Sequence, residues 1–96
     1  PYNINLLVDV AHLKVSSSSL QFNPEYMFKS CHKFIRGYHL SDNNGLSDTN
    51  ESFTSSAWFW NSLNKNLDYY SIEVYGANEE RLLELKNLTE QKIKKN

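Results

Sequence analysis

The chain has 96 residues, with 10 Lys+Arg against 11 Asp+Glu and a formal net charge of −1. A hydrophobic content of 40% is enough for one small core, and the balanced charge excludes a bulk electrostatic nucleic-acid binder. No apolar run approaches the ~18 residues of a membrane-spanning helix, and the single cysteine, Cys31, excludes an internal disulfide framework or a cysteine-rich zinc module.

The run Ile4 to Val10 reads as the first strand, almost continuously apolar and biased toward β-branched residues. That pattern predicts a parallel strand covered on both faces. Ser16 to Ser19 is expected to be a loop. A helix is predicted from Pro24 to Phe34, with Asn23 as its N-cap and proline at its first position. Ile35 to Leu40 is the second strand, followed by a polar loop from Ser41 to Ser52. Helical character is expected again over Ser55 to Asn64, with Trp58, Phe59 and Leu63 packing inward. Tyr69 to Tyr75 is the third strand. Asn78 then caps a last helix that opens on Glu79 and Glu80 and closes on Lys92, Lys94 and Lys95, an order that complements the helix dipole. Leu82, Leu85, Leu88 and Ile93 are expected to share its apolar face.

The expected architecture is α/β, three consecutive β-α units of about thirty residues with parallel strands. Three such strands leave two open edges. The chain also begins at Pro1 and enters its first strand almost at once. Residues 1–96 therefore read as one partial domain, a fragment of a longer polypeptide or a chain that associates with another copy of itself.

The ionisable residues fall at the strand ends. Asp9 ends the first strand and His12 follows three residues on. His39 ends the second and leads into Leu40-Ser41-Asp42-Asn43, with Asp48 in the loop beyond. Glu73 interrupts the third strand between Ile72 and Val74. Alternation puts Tyr69, Ser71 and Tyr75 with Glu73, and Ile35 and Gly37 with His39. Each residue alone has a plainer use, as a turn former, a helix cap or a hydrogen-bonded imidazole. A charged group on an apolar strand, however, needs a partner. Two carboxylates and an imidazole at the C-terminal ends of parallel strands suit one divalent cation, Mn²⁺, Mg²⁺, Co²⁺ or Zn²⁺.

Asp9-Val10-Ala11-His12, His39-Leu40-Ser41-Asp42-Asn43 and Ser71-Ile72-Glu73-Val74 occur in that order. Together they resemble the D-x-x-H, H-[LI]-x-D and final-strand glutamate segments of the xylose-isomerase-like TIM barrel superfamily. This grouping holds the sugar (phosphate) isomerases and epimerases and the endonuclease IV type, AP endonuclease family 2. The resemblance implies strands six to eight of a (β/α)8 barrel. In the epimerase branch it implies Asp9, His39 and Glu73 as ligands of one metal, with Asp48 as an additional candidate. His12 and Asp42 would bind substrate, a sugar or sugar phosphate. Glu73 would be the catalytic base beside a carbonyl, paired with a glutamate from an earlier strand that this chain does not contain.

The endonuclease branch would use Asp9, His12, His39, Asp48 and Glu73 on a zinc cluster. It expects D-x-H where this chain has Asp48-Thr49-Asn50, and its phosphate contacts would need basic residues. A non-catalytic barrel remnant acting in assembly is the third reading. The loop from Asp42 to Ser56 lacks the basic residue that single-metal branches usually carry. Trp58-Phe59-Trp60 is expected to pack rather than to form a stacking platform, and Cys31 to be inert. The expected setting is cytoplasmic, without membrane or nucleic-acid partners.

Overall fold

The computed structural model describes residues 5–67 and 69–93, so Ile4, Lys94 and Lys95 lie outside the described residues. Strand β1 is Leu6–Asp9, helix α1 Val10–Leu20, helix α2 Pro24–Cys31, strand β2 Ile35–Leu40, strand β3 Tyr69–Ile72 and helix α3 Glu79–Ile93. The strands form one parallel sheet in the order β1-β2-β3. Among the described residues no helix is long and apolar enough to cross a membrane.

Three expectations about local structure are corrected. Ser16 to Ser19 is helical, the last turns of α1. The Asp9 carboxylate caps that helix by accepting the His12 N–H at 2.9 Å. Ser17 stays inside it by donating its hydroxyl to the Lys14 carbonyl at 2.9 Å. The helix stops at Gln21, in the left-handed region at φ 58°, with the Phe22 N–H returning to the Ser17 carbonyl at 3.0 Å.

Ser55 to Asn64, in contrast, is not an α-helix; only a short 3₁₀ turn forms, at Trp60–Ser62. Local polar groups compete there for the backbone. Thr54 Oγ1 accepts the Ser56 N–H at 3.3 Å, the Ala57 N–H bonds the Thr54 carbonyl at 3.1 Å, and Asn64 Oδ1 accepts the Asn66 N–H at 3.0 Å. The β2–β3 connection therefore crosses the sheet as an aromatic-filled loop. Phe59 and Trp60 are buried, Leu63 with them, and the Trp60 indole N–H donates to the Thr54 carbonyl at 2.9 Å. Packing is thus the role of this aromatic run.

The third correction is the apolar face of α3. Leu85 is buried and Leu88 packs against the core, but Leu82 is exposed. Thr89 is buried in its stead, its hydroxyl satisfied by the Leu85 carbonyl at 2.7 Å. The N-cap is as expected, since Asn78 Oδ1 accepts the Arg81 N–H at 2.8 Å.

The two faces of the sheet differ. Leu6, Val8, Tyr38, Leu40, Tyr70 and Ile72 point to one layer, packed with Val10, Phe28, Phe53, Phe59 and Leu85. The register shifts between Leu6, paired with Ile35, and Leu7, paired with Gly37. Arg36 is the extra residue of this bulge. Ile35 consequently joins the core rather than sharing the His39 face, which corrects strict alternation. The other face carries Leu7, Gly37, Tyr69 and the strand-end ionisable groups. Among the described residues it is uncovered, with Leu7 54% and Tyr69 51% exposed, so β1 is buried there on one face and not on both.

Candidate metal centre

Register explains how three distant residues meet. Asp9 pairs with His39 across β1 and β2, and His39 pairs with Ser71 across β2 and β3. Glu73 lies two residues beyond Ser71, which returns its side chain to the same face. β3 ends at Ile72, so Glu73 sits just past the strand; its N–H still donates to the Leu40 carbonyl at 3.0 Å. One ligand-capable atom from each of Asp9, His39 and Glu73 falls within 4.8 Å of the others. Donors bound at about 2.0–2.2 Å to one ion in a tetrahedral site lie about 3.3–3.6 Å apart. The cluster would therefore close by up to about 1–1.5 Å to hold one.

The donor set fits a divalent cation. His39 Nδ1 and Glu73 Oε2 are in direct contact. The imidazole is thus the partner of that oxygen, and a cation bound here would share or replace this contact. Asp9 spends one acceptor position on the α1 cap, and a carboxylate has about four. Capping and ligation are thus compatible in one side chain.

The remaining expected residues surround this centre. His12 is exposed and its Nδ1 lies 3.2 Å from Asp48 Oδ2, so these two meet each other and stand outside the three-residue cluster. Asp42 Oδ1 accepts the Asn43 N–H at 2.8 Å and pairs with Lys14 Nζ at 2.9 Å. Lys14 also donates to the Asn43 carbonyl. Sequence reading missed Lys14, because the residues around it were assigned to no helix. Once Val10–Leu20 is helical, Ala11, Lys14 and Ser18 turn toward the loop: Asn43 Nδ2 donates to the Ala11 carbonyl at 2.9 Å, and Gly45 lies over Lys14 and Ser18. The positive charge lacking in the loop's own sequence thus arrives from α1.

Asn50 was also missed as a structural residue. It is buried, at φ 49°, and its side-chain amide donates to the Glu73 carbonyl at 2.9 Å. Below the cluster, the Tyr69 ring lies over Gly37 and beside the His39 imidazole, with ring centroids 6.3 Å apart. Cys31 is a half-buried free thiol 3.8 Å from Met27 Sδ, in α2 and away from the centre. No family model, curated protein or solved structure matches the chain.

Proposed function

We propose that the chain is the C-terminal part of a divalent-metal-dependent sugar (phosphate) isomerase or epimerase barrel. The observation that carries this reading is the convergence of Asp9, His39 and Glu73 within 4.8 Å at the C-terminal ends of three adjacent parallel strands. Ligands gather at that end in parallel α/β folds. The uncovered face supports the barrel part of the proposal. Helices pack on one side of the sheet, and Leu7, Gly37 and Tyr69 wait on the other, as residues facing a barrel interior would. The order β1-β2-β3 is that of consecutive barrel strands, an order that half of a doubly wound sheet shares.

Asp9, His39 and Glu73 would hold the cation, which would supply Lewis-acid polarisation of a carbonyl. Glu73 then acts as base. A C–H bond beside the carbonyl breaks, the proton passes to the carboxylate, and the electron pair delocalises toward the carbonyl oxygen. Return of the proton to the former carbonyl carbon, with the hydroxyl proton of the adjacent carbon passing to the former carbonyl oxygen, gives the isomer; return to the other face of the same carbon gives the epimer and needs a second acid–base group. His12, exposed at the mouth, contacts sugar oxygens, and Asp42 with Lys14 forms the polar rim. A cytoplasmic setting goes with this reading, and the lone cysteine is compatible with a reducing compartment.

The zinc-cluster nuclease reading has one supporting contact, His12 with Asp48. Against it, the Asn50 amide is turned to the Glu73 backbone rather than toward that pair. The test uses the protein as its source makes it. Native mass spectrometry reads chain length, assembly and metal count, and ketoses in D₂O read proton exchange. One divalent ion per site, with deuterium entering beside the carbonyl and lost in Glu73→Gln, supports the proposal. Two or three zinc ions, or full exchange in Glu73→Gln, overturns it.

A further inference from the structure

We propose that Asn50 is the positioning residue of Glu73, an inference that rests on the metal-centre reading for its functional consequence. Glu73 lies outside regular structure, and its main chain is held by only a few bonds. Its N–H is taken by Leu40. Its carbonyl is taken by the Asn50 amide at 2.9 Å, and the Asn50 carbonyl in turn accepts the Tyr75 N–H at 2.9 Å. Asn50 therefore grips the segment on both sides of Val74 and fixes the direction in which the Glu73 side chain leaves it.

Asn50 is itself built into place. Its neighbour Glu51 forms an antiparallel bridge with Asp42, with N–H to carbonyl distances of 2.8 and 2.7 Å. Asp42 and Asn43 are anchored to α1 through Lys14 and the Ala11 carbonyl, and α1 is the helix that Asp9 caps. A continuous chain of contacts thus runs from the Asp9 element, through the loop, to Glu73. The left-handed conformation at φ 49° explains the residue type. Asparagine tolerates that region better than most residues and also brings the amide donor. This position is where the resemblance expects a histidine; the structure gives it a supporting contact instead of a ligating one.

Two substitutions separate the amide from the backbone conformation. Asn50→Gly keeps the left-handed φ and deletes the donor. Asn50→Asp keeps the size and sets an oxygen against the Glu73 carbonyl, and it serves if the glycine variant folds poorly. The first readout is the nuclear Overhauser effect between the His39 Hε1 and Glu73 Hγ protons of the metal-free chain. The second is Co²⁺ affinity from the visible absorption of the ion. The wild-type chain is expected to show the cross-peak and both variants to lose it. Co²⁺ affinity is expected to fall about tenfold or more, as for other groups that orient metal ligands. In a Glu73→Gln background Asn50→Gly is expected to add no further loss of affinity. A cross-peak kept in both variants, or absent from the wild type, overturns the inference, and so does an equal loss of affinity with and without Glu73. If the wild type shows the cross-peak but binds no Co²⁺, the metal reading fails and the cross-peak in the variants still decides the role of Asn50.

Discussion

Asp9 is assigned two jobs, and two substitutions separate them. It caps α1 through the His12 N–H at 2.9 Å, and it contributes one oxygen to the cluster with His39 and Glu73. Asparagine caps a helix about as well as aspartate, whereas alanine in place of a cap costs ~1 kcal/mol. For a domain of this size that cost lowers the melting temperature by about 4–8 °C. Without metal, Asp9→Asn should therefore melt close to the wild type, and Asp9→Ala about 4–8 °C lower. Metal reverses the grouping. At Mn²⁺ one hundred times above its dissociation constant, the wild type gains about 2.7 kcal/mol, or roughly 10–20 °C. Loss of a ligand should weaken binding at least as much as loss of an outer contact, for which ~100-fold is the upper range. At the same Mn²⁺ the gain of either variant then shrinks to about 0.4 kcal/mol, roughly 2–3 °C. Thermal melts followed by circular dichroism, with Mn²⁺ or with a chelator, measure all four quantities. A wild-type-sized Mn²⁺ shift in Asp9→Asn would refute Asp9 as a ligand. Equal metal-free melting of Asp9→Ala and Asp9→Asn would refute the cap.

Tyr38 is fully buried and its hydroxyl accepts the Asn64 N–H at 2.9 Å, so Tyr38→Phe should cost about 1 kcal/mol in urea denaturation at neutral pH. Burial raises the Tyr38 pKa, an effect partly offset by the Asn64 N–H. The unfolded tyrosine therefore ionises first, and the advantage of the wild type over Tyr38→Phe should shrink as pH rises above about 10. A gap that widens at alkaline pH would contradict this sign. In Gly37→Ala the added methyl would stand 2.4 Å from Tyr69 Cδ1 and 3.1 Å from Tyr69 Cβ. The half-exposed ring can swing toward solvent, so the expected cost is at the low end for overpacking, about 1–2 kcal/mol. The swing also takes the ring away from His39, and unchanged His39 ring resonances in that variant would show that Tyr69 does not touch it.

The parts of the fold set by long-period patterns were legible in the sequence. The apolar runs gave three strands, and proline, asparagine and the acid-to-base order marked α2 and α3. The three ligand candidates could be found because each sits at or just past the C-terminal end of its own strand, where a side chain's face follows from simple counting. Counting failed at Ile35, since a bulge is a tertiary accommodation and leaves no composition signal. The serine run misled because its helical competence depends on the Asp9 cap and on one hydroxyl folding back to Lys14. Ser55 to Asn64 misled in the opposite direction: its apolar spacing resembles a helix, but burial of Phe59 and Trp60 satisfies that spacing from an irregular loop. Lys14 and Asn50 could not be placed by spacing at all. Each acts on a residue more than twenty positions away.

One divalent cation held by Asp9, His39 and Glu73, as proposed, would be visible in diffraction from crystals of the chain grown with Mn²⁺, measured for the anomalous signal of the ion. One peak is expected, about 2.0–2.3 Å from an oxygen of Asp9, a nitrogen of His39 and an oxygen of Glu73. Well-ordered density for those three side chains with no peak between them, or with the ion between His12 and Asp48 instead, would contradict it.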